Sequence, residues 1–195
     1  MARSGTVYRK TNETEINLSI NLDGEGKTDL NMGVPFLEHM LDLFSKHGNF
    51  DLSIQAKGDT EIDYHHTVED IAICLGQAFL QALSSKEGIN RYGMSFVPMD
   101  EALGQVIIDI SNRPHLEYRV DLPNKRIGSF ETELFHEFLW KFALESRITI
   151  HAISHYGRNS HHIIEAIFKA LGRSLKQGIE INPDQKGIPS SKGVL

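Results

Sequence analysis

The hydrophobic pattern of this chain switches repeatedly between a period of two and a period near four. Over Thr14–Asp23 (TEINLSINLD) every second side chain is apolar, at Ile16, Leu18, Ile20 and Leu22, as in a half-buried strand. The polar GEGK that follows turns the chain into a second short strand over Thr28–Met32. Pro35 suits the first turn of a helix, and Phe36, Leu37, Met40, Leu41 and Phe44 recur at helical spacing until Gly48 stops it. Phe50–Lys57 alternates as a strand, and Gly58–Asp63 reads as a loop. From about His66, Val68, Ile71, Leu75, Ala78, Phe79 and Ala82 mark a long helix. The second half runs in a similar order. Gln105–Ile110 and Leu116–Leu122 read as strands, Glu131–Glu145 as a helix, Ile148–Ser154 as a strand and His161–Gln177 as a helix. The tail NPDQKGIPSSKGVL is rich in Gly, Pro and Ser, the composition of a mobile segment unless a ligand or neighbour orders it.

A repeat underlies this order. His65, His66, Glu69, Ile71, Leu75 and Gly76 fall opposite His161, His162, Glu165, Ile167, Leu171 and Gly172. A further histidine precedes each pair on the preceding helix, His39 by 26 residues and His136 by 25. Two copies of a strands–helix–strand–helix unit imply a pseudo-symmetric domain in which each unit's helices cover one face of a small sheet.

Composition narrows the class. A chain of 195 residues at 40% hydrophobic suits one ordinary domain, or two small halves packed together. Its one cysteine, Cys74, lies inside an apolar helical pattern and allows no disulfide within the chain, which fits a reducing cytoplasm. The opening MARSGTVYRK has no secretory apolar region, and no apolar run reaches membrane-spanning length. A net charge of −6 argues against nucleic acid as a partner, because a phosphate backbone needs a basic field. Local basic patches remain able to hold a small phosphorylated ligand.

The ten histidines carry the chemistry. Helix positions i and i+4 share a face, so His65 with Glu69 can chelate one ion, as can His161 with Glu165. Residue i+1 is turned by about 100°, so His66 and His162 aim elsewhere: each helix can serve two ions, but not one ion with both histidines. With His39 and His136 the inventory divides into two sites of three His and one Glu. Imidazole and carboxylate without thiolate favour Mn, Fe or Zn over Ca or Mg. Asp63 and Asp70 are candidate acceptors for imidazole N–H groups. A single HHxxE is more often a solvated helix start than a ligand set; the repetition, with a matched upstream histidine each time, favours metal.

Taken together, HHTVED, RKTNET (Arg9–Thr14), FLEHML (Phe36–Leu41), SHYGRNSHHIIEAIFKAL (Ser154–Leu171) and the terminal SSKG resemble the imidazoleglycerol-phosphate dehydratase family across essentially the whole chain. The resemblance implies an α+β fold: a duplicated half-domain, ribosomal protein S5 domain 2-like, with helices packed between two small mixed β-sheets. The halves would span about 1–90 and 91–182, with the tail at 183–195. It also implies a hydro-lyase of histidine biosynthesis, holding two Mn2+ per active site in a 24-mer whose sites lie between subunits. Position by position, the metal ligands would be His39, His65, His66, Glu69, His136, His161, His162 and Glu165. Glu13, Arg91, Arg113, Lys169, Ser191 and Lys192 would contact the substrate, and Glu13, Glu69 and Glu165 would be the catalytic acids and bases. From the residues alone, Arg91 and Arg113 are forked donors suited to phosphate, although a surface arginine is the commoner reading. Lys169, one turn past Glu165, shares the ligand face, and SSKG alone would be an ordinary tail. Two departures stand out: Tyr64 where the family commonly has a second Asp, and Leu43–Phe44 in place of a Gln-containing stretch.

The implied reaction dehydrates D-erythro-imidazole-glycerol 3-phosphate to imidazole-acetol phosphate. Metal bound to the ring nitrogens would favour an imidazolate, which expels hydroxide through a diazafulvene-like intermediate. Glu13 is the candidate base for the carbon-bound proton, with a ligand carboxylate or metal-bound water as alternatives. Two other classes fit the ligand set: a metal-dependent hydrolase, and a metal-storage module that would have no use for Arg91, Arg113 and Lys192.

Overall fold

The computed structural model describes residues 3–195. In the first half, β1 (Ser4–Lys10) and β2 (Thr14–Asn21) form a hairpin, followed by β3 (Thr28–Asn31), α1 (Pro35–Gly48), β4 (Asp51–Gly58) and α2 (His65–Leu83). In the second, β5 (Tyr92–Met99), β6 (Ala102–Asp109) and β7 (His115–Arg119) precede a two-stranded ribbon, β8 (Arg126–Ile127) with β9 (Phe130–Glu131). Then come α3 (Glu133–Ser146), β10 (Thr149–Tyr156) and α4 (Ser160–Ile179).

The two halves repeat one topology. Strand order is β1-β2-β4-β3 in one sheet and β5-β6-β10-β7 in the other. In each, three strands run antiparallel and the last lies parallel to its neighbour, β3 beside β4 and β7 beside β10. The duplicated α+β architecture is therefore present, with both sheets mixed. Helix α2 packs on β1 and β2 and helix α4 on β5 and β6, while α1 lies against α4 and α2 against α3. The helices thus fill the space between the sheets; helix–sheet packing stays within each half, and the α1–α4 and α2–α3 contacts cross from one half to the other.

Several expected boundaries shift for identifiable reasons. Helix α3 starts at Glu133 because Phe130 and Glu131 pair with Ile127 and Arg126 as a ribbon. The pattern over Leu116–Leu122 gives a shorter strand, His115–Arg119, limited to its parallel pairing with β10. Strands β1 and β5 escape the alternation rule altogether. Their inward positions include Gly5 and Gly93, where an added Cβ would lie 2.0 Å from the Ala78 carbonyl oxygen and 1.9 Å from that of Ser174. With a glycine facing the helix there is no apolar side chain to read. On β5 the pattern is even inverted, since Tyr92, Met94 and Phe96 face outward.

The core is aromatic at its centre. Phe44 packs on Phe50 (ring centroids 5.3 Å) and Phe142 (6.4 Å), and Phe79 packs on the same two rings at 6.4 and 5.9 Å. This closed set of edge-on and tilted rings ties α1, α2 and α3 together, adding directional contacts to simple burial. The tail is laid against Gly88–Arg91: Gly88 N–H donates to the Gly187 carbonyl at 2.9 Å, Asn182 N–H to the Gly88 carbonyl at 2.7 Å, and Ile89 bridges Ile181.

Candidate metal and substrate site

The crossed helices decide which candidate ligands meet. His39, from α1, lies beside His161 and Glu165 of α4, not beside the double histidine of its own half. Its Nε2 is 3.4 Å from Glu165 Oε2, and His161 Nε2 is 3.1 Å from the same oxygen. The donor atoms of these three residues all fall within 4.8 Å of one another, close enough to share one ion. In the other pair of helices, His65 and Glu69 of α2 meet α3, with His65 Nε2 3.8 Å from Glu69 Oε2. His136 of α3 lines the same cleft as His65, its ring edge-on to Tyr118 at 4.9 Å. The third donor drawn within 4.8 Å of His65 and Glu69 is Glu137, a residue the sequence reading did not single out.

The adjacent histidines reach different partners: His65 and His161 face Glu69 and Glu165, whereas His66 and His162 face Asp59 and Glu101. The rings of His65 and His66 stand 87° apart, and those of His161 and His162 stand 80° apart. His66 Nδ1–H donates to Asp59 Oδ2 at 2.9 Å, with Glu13 Oε1 at 3.8 Å from its Nε2. His162 Nδ1–H donates to Glu101 Oε2 at 2.7 Å. A carboxylate that accepts from Nδ1 leaves the Nε2 lone pair for a ligand bond, an arrangement common around metal-binding imidazole. Asp59 holds the His66 pKa above its ordinary value. His162, with the Arg158 and Asn159 backbone N–H groups, brings Glu101 down to about 2. Glu101 immediately precedes β6 as Glu13 immediately precedes β2, so the duplicated hairpins present an acid to each second histidine.

Asp63 and Asp70, expected to orient imidazoles, do something else. Asp63 accepts from the His65 backbone N–H at 2.7 Å, just ahead of α2, while Asn159, the N-cap of α4, accepts from the His161 N–H at 2.9 Å. Asp70 is buried and accepts from Arg9 Nε at 2.9 Å and Thr14 Oγ1 at 2.5 Å, which ties α2 to the β1–β2 hairpin. Asp59, Glu101, Glu137 and Lys141 were the residues missed. Only Glu101 carried a readable signal, its place before β6.

Each of the two candidate ligand glutamates is balanced by a lysine. Lys169 Nζ lies 2.6 Å from Glu165 Oε1, and Lys141 Nζ lies 2.8 Å from Glu69 Oε1. Burial acts to raise the Glu165 pKa, but Lys169 and His161 outweigh it and hold the carboxyl below its ordinary value. Cys74 contributes nothing here; burial pushes its thiol up to about 12, which leaves it neutral. Both sequence departures are structural. Tyr64 Oη bonds Ser129 Oγ at 3.1 Å, Phe44 is in the core, and Leu43 packs against it.

The candidate substrate residues fall into separate groups. Glu13 sits exposed in the β1–β2 turn beside His66, and Lys169 is with the His39–His161–Glu165 group. Arg91 and Arg113 come together elsewhere, on Asp109. Ser191 and Lys192 follow Pro189, whose carbonyl accepts from Arg91 Nη1 at 2.9 Å.

Comparison with known proteins places the chain in a family. A sequence model described as Imidazoleglycerol-phosphate dehydratase matches residues 32–175. The chain belongs to that family. Proteins named imidazoleglycerol-phosphate dehydratase from Bacillus licheniformis and Bacillus subtilis are 68% and 65% identical to it, each over 193 residues. The former alignment covers 99% of this chain and 100% of the relative, and the latter has the same coverage. Among solved structures, the family enzyme from Staphylococcus aureus superposes with a TM-score of 0.84 at 39% identity, over 92% of this chain and 99% of that one. The enzyme from Pyrococcus furiosus gives the same TM-score of 0.84 at 36% identity, over 97% and 100% of the two chains. As a member of this dehydratase family the chain is an enzyme, a hydro-lyase. None of its described helices is long and apolar enough to cross a membrane.

Proposed function

We propose that the chain dehydrates D-erythro-imidazole-glycerol 3-phosphate to imidazole-acetol phosphate in cytoplasmic histidine biosynthesis, with two Mn2+ at each active site. The observation that carries this reading is the crossed pairing of helices. It assembles His39, His161 and Glu165 in one place and His65, Glu69 and Glu137 in another, with His136 lining the same cleft as His65, while His66 and His162 reach Asp59 and Glu101 instead. Histidines that join neither donor group, and substrate residues split among separate groups, support active sites completed by other copies in a 24-mer.

The donor set fits a borderline divalent ion: imidazoles and carboxylates, no available thiolate, and acceptors at Nδ1 of the outward histidines. Bound metal would supply Lewis acidity toward the ring nitrogens of the substrate. The protein's own groups do the rest. Asp59 and Glu101 keep Nε2 of His66 and His162 available. Glu13, exposed beside His66 at the mouth of the β1–β2 turn, removes the carbon-bound proton. Lys169 exchanges its Glu165 partner for substrate. Arg91, Arg113, Ser191 and Lys192 bind the phosphate, adding binding energy remote from the reacting carbon.

The test is direct. The Mn-loaded protein is incubated with imidazoleglycerol phosphate and the enolisable ketone is assayed; no product from a metal-loaded sample would refute the dehydratase reading. Glu13→Gln should lower kcat by at least about a hundredfold, the scale of general-base catalysis, with metal content unchanged by elemental analysis. Full activity in that variant would remove Glu13 from the mechanism.

A further inference from the structure

Asp109, the last residue of β6, lies where two of the proposed phosphate residues converge. Its carboxylate accepts a forked pair from Arg91, Nε to Oδ1 at 2.7 Å and Nη2 to Oδ2 at 3.2 Å. Arg113 Nη2 donates to the same Oδ2 at 3.4 Å. The two guanidinium groups differ in burial: the Arg91 side chain is 12% exposed and that of Arg113 is 64% exposed. Arg91 has two further contacts and keeps one N–H on each of Nη1 and Nη2 without a protein partner. Its Nη1 donates to the Pro189 carbonyl at 2.9 Å, and its guanidinium lies over the Tyr92 ring at 4.8 Å.

The backbone around both arginines is held in the left-handed region, where a side chain is disfavoured. Arg91 has φ 72°, and Asn112, just before Arg113, has φ 59°. Arg91 is kept there by its N–H, which donates to the Gly178 carbonyl at 2.8 Å, and by its carbonyl, which accepts from Ile110 N–H at 3.1 Å. Such conformations persist where the surroundings over-determine them, and they concentrate at binding sites. Two guanidinium groups on one carboxylate leave one positive charge unmatched, on the more exposed Arg113.

We infer that Asp109 is the positioning residue of the phosphate clamp: it sets the spacing of Arg91 and Arg113 and, through Arg91, holds the tail that carries Ser191 and Lys192. The inference rests on the dehydratase reading and identifies what arranges its anion subsite. Asp109 touches neither substrate nor metal ligands in this account. A purely structural ion pair on β6 would influence stability alone, whereas a positioning role shows in substrate affinity.

The experiment compares Asp109→Asn with the unaltered, Mn-loaded protein. KM for imidazoleglycerol phosphate should rise about ten- to a hundredfold, the effect of losing a charge-assisted hydrogen bond, with kcat reduced far less. Inhibition by inorganic phosphate should weaken in parallel, and the thermal stabilisation that phosphate confers on the unaltered protein should be lost. Asp109→Glu, which keeps the charge but displaces it by one methylene, guards against simple misfolding and should give an intermediate KM. KM and phosphate inhibition within twofold of the unaltered protein in a folded Asp109→Asn sample would overturn the inference. So would an unchanged KM in Asp109→Glu if Asp109→Asn fails to fold. An unaltered protein that binds phosphate but makes no ketone would instead overturn the dehydratase reading, with phosphate stabilisation still testing Asp109.

Discussion

Lys86 shows how a single residue can be costly outside the site. It is only 8% exposed, between α2 and β5. Burial lowers its pKa, Arg147 lowers it further, and Asp109 offsets part of the effect. A lysine whose folded pKa lies below its unfolded value penalises the folded state wherever the ammonium is charged. Between the lowered folded pKa and about 10.4 the unfolded chain binds the extra proton, so stability should rise with pH across that window. Lys86→Met should raise Tm by about 2–4 °C, the shift that about 1 kcal/mol produces in a domain of this size, and should flatten that pH dependence. Scanning calorimetry at neutral and alkaline pH measures both. At this scale the sequence was informative for groups that share a helix and silent for groups that do not. His161 and Glu165 are four apart on one helix, and their proximity follows from geometry alone. Asp59 and Glu101 reach His66 and His162 across 7 and 61 residues of chain, set by how the loops pack. Asp63 was misread because a carboxylate before a helix serves the free backbone N–H of the first turn before it serves a ring.

The contacts between helices are set by two glycines at equivalent places in the repeat. A Cβ on Gly172 of α4 would lie 2.4 Å from the Phe44 carbonyl oxygen of α1, and one on Gly76 of α2 would lie 2.6 Å from Glu145 Cβ and 2.9 Å from the Ser146 nitrogen of α3. In an isolated helix, Gly→Ala is stabilising by about 1 kcal/mol. Here the sign should reverse. Gly172→Ala pushes α1 from α4 and so moves His39 away from His161 and Glu165. It should lower Tm and weaken Mn binding together, read by calorimetry and by metal titration. The repeat alignment paired these glycines from sequence, but their purpose became visible only when the facing backbone was in place. The same residue type hid β1 and β5, whose inward glycines removed the alternation that marked β2 and β4.

For the whole molecule, the doubled topology was legible because both copies kept their histidines, their glycines and the order of their elements. What could not be read was the crossing. Sequence order places His39 nearest the double histidine of its own half, whereas packing of α1 on α4 gives it to the other. The choice depends on which apolar helix faces meet, a long-range packing outcome that periodicity does not encode. If outward donors join copies through metal, chelation should act on assembly as well as on catalysis. Prolonged EDTA treatment should reduce the particle to smaller species by sedimentation velocity, and added Mn2+ should restore it. An assembly that keeps its size after complete metal removal would show that protein contacts suffice.

The near-perpendicular rings of each double histidine have a consequence in the language of polymer chemistry. A building block with one outward donor caps a growing structure; a block with two propagates it. His66 and His162 sit on different helices, so if each joined a neighbouring copy the chain would have a functionality of two from this source alone. Growth from such units either runs on without limit or bends back and closes, and the angle between the two outward directions decides which. If such donors join copies, the angle between the His66 and His162 directions, rather than the number of donors, would set whether assembly closes at a finite size.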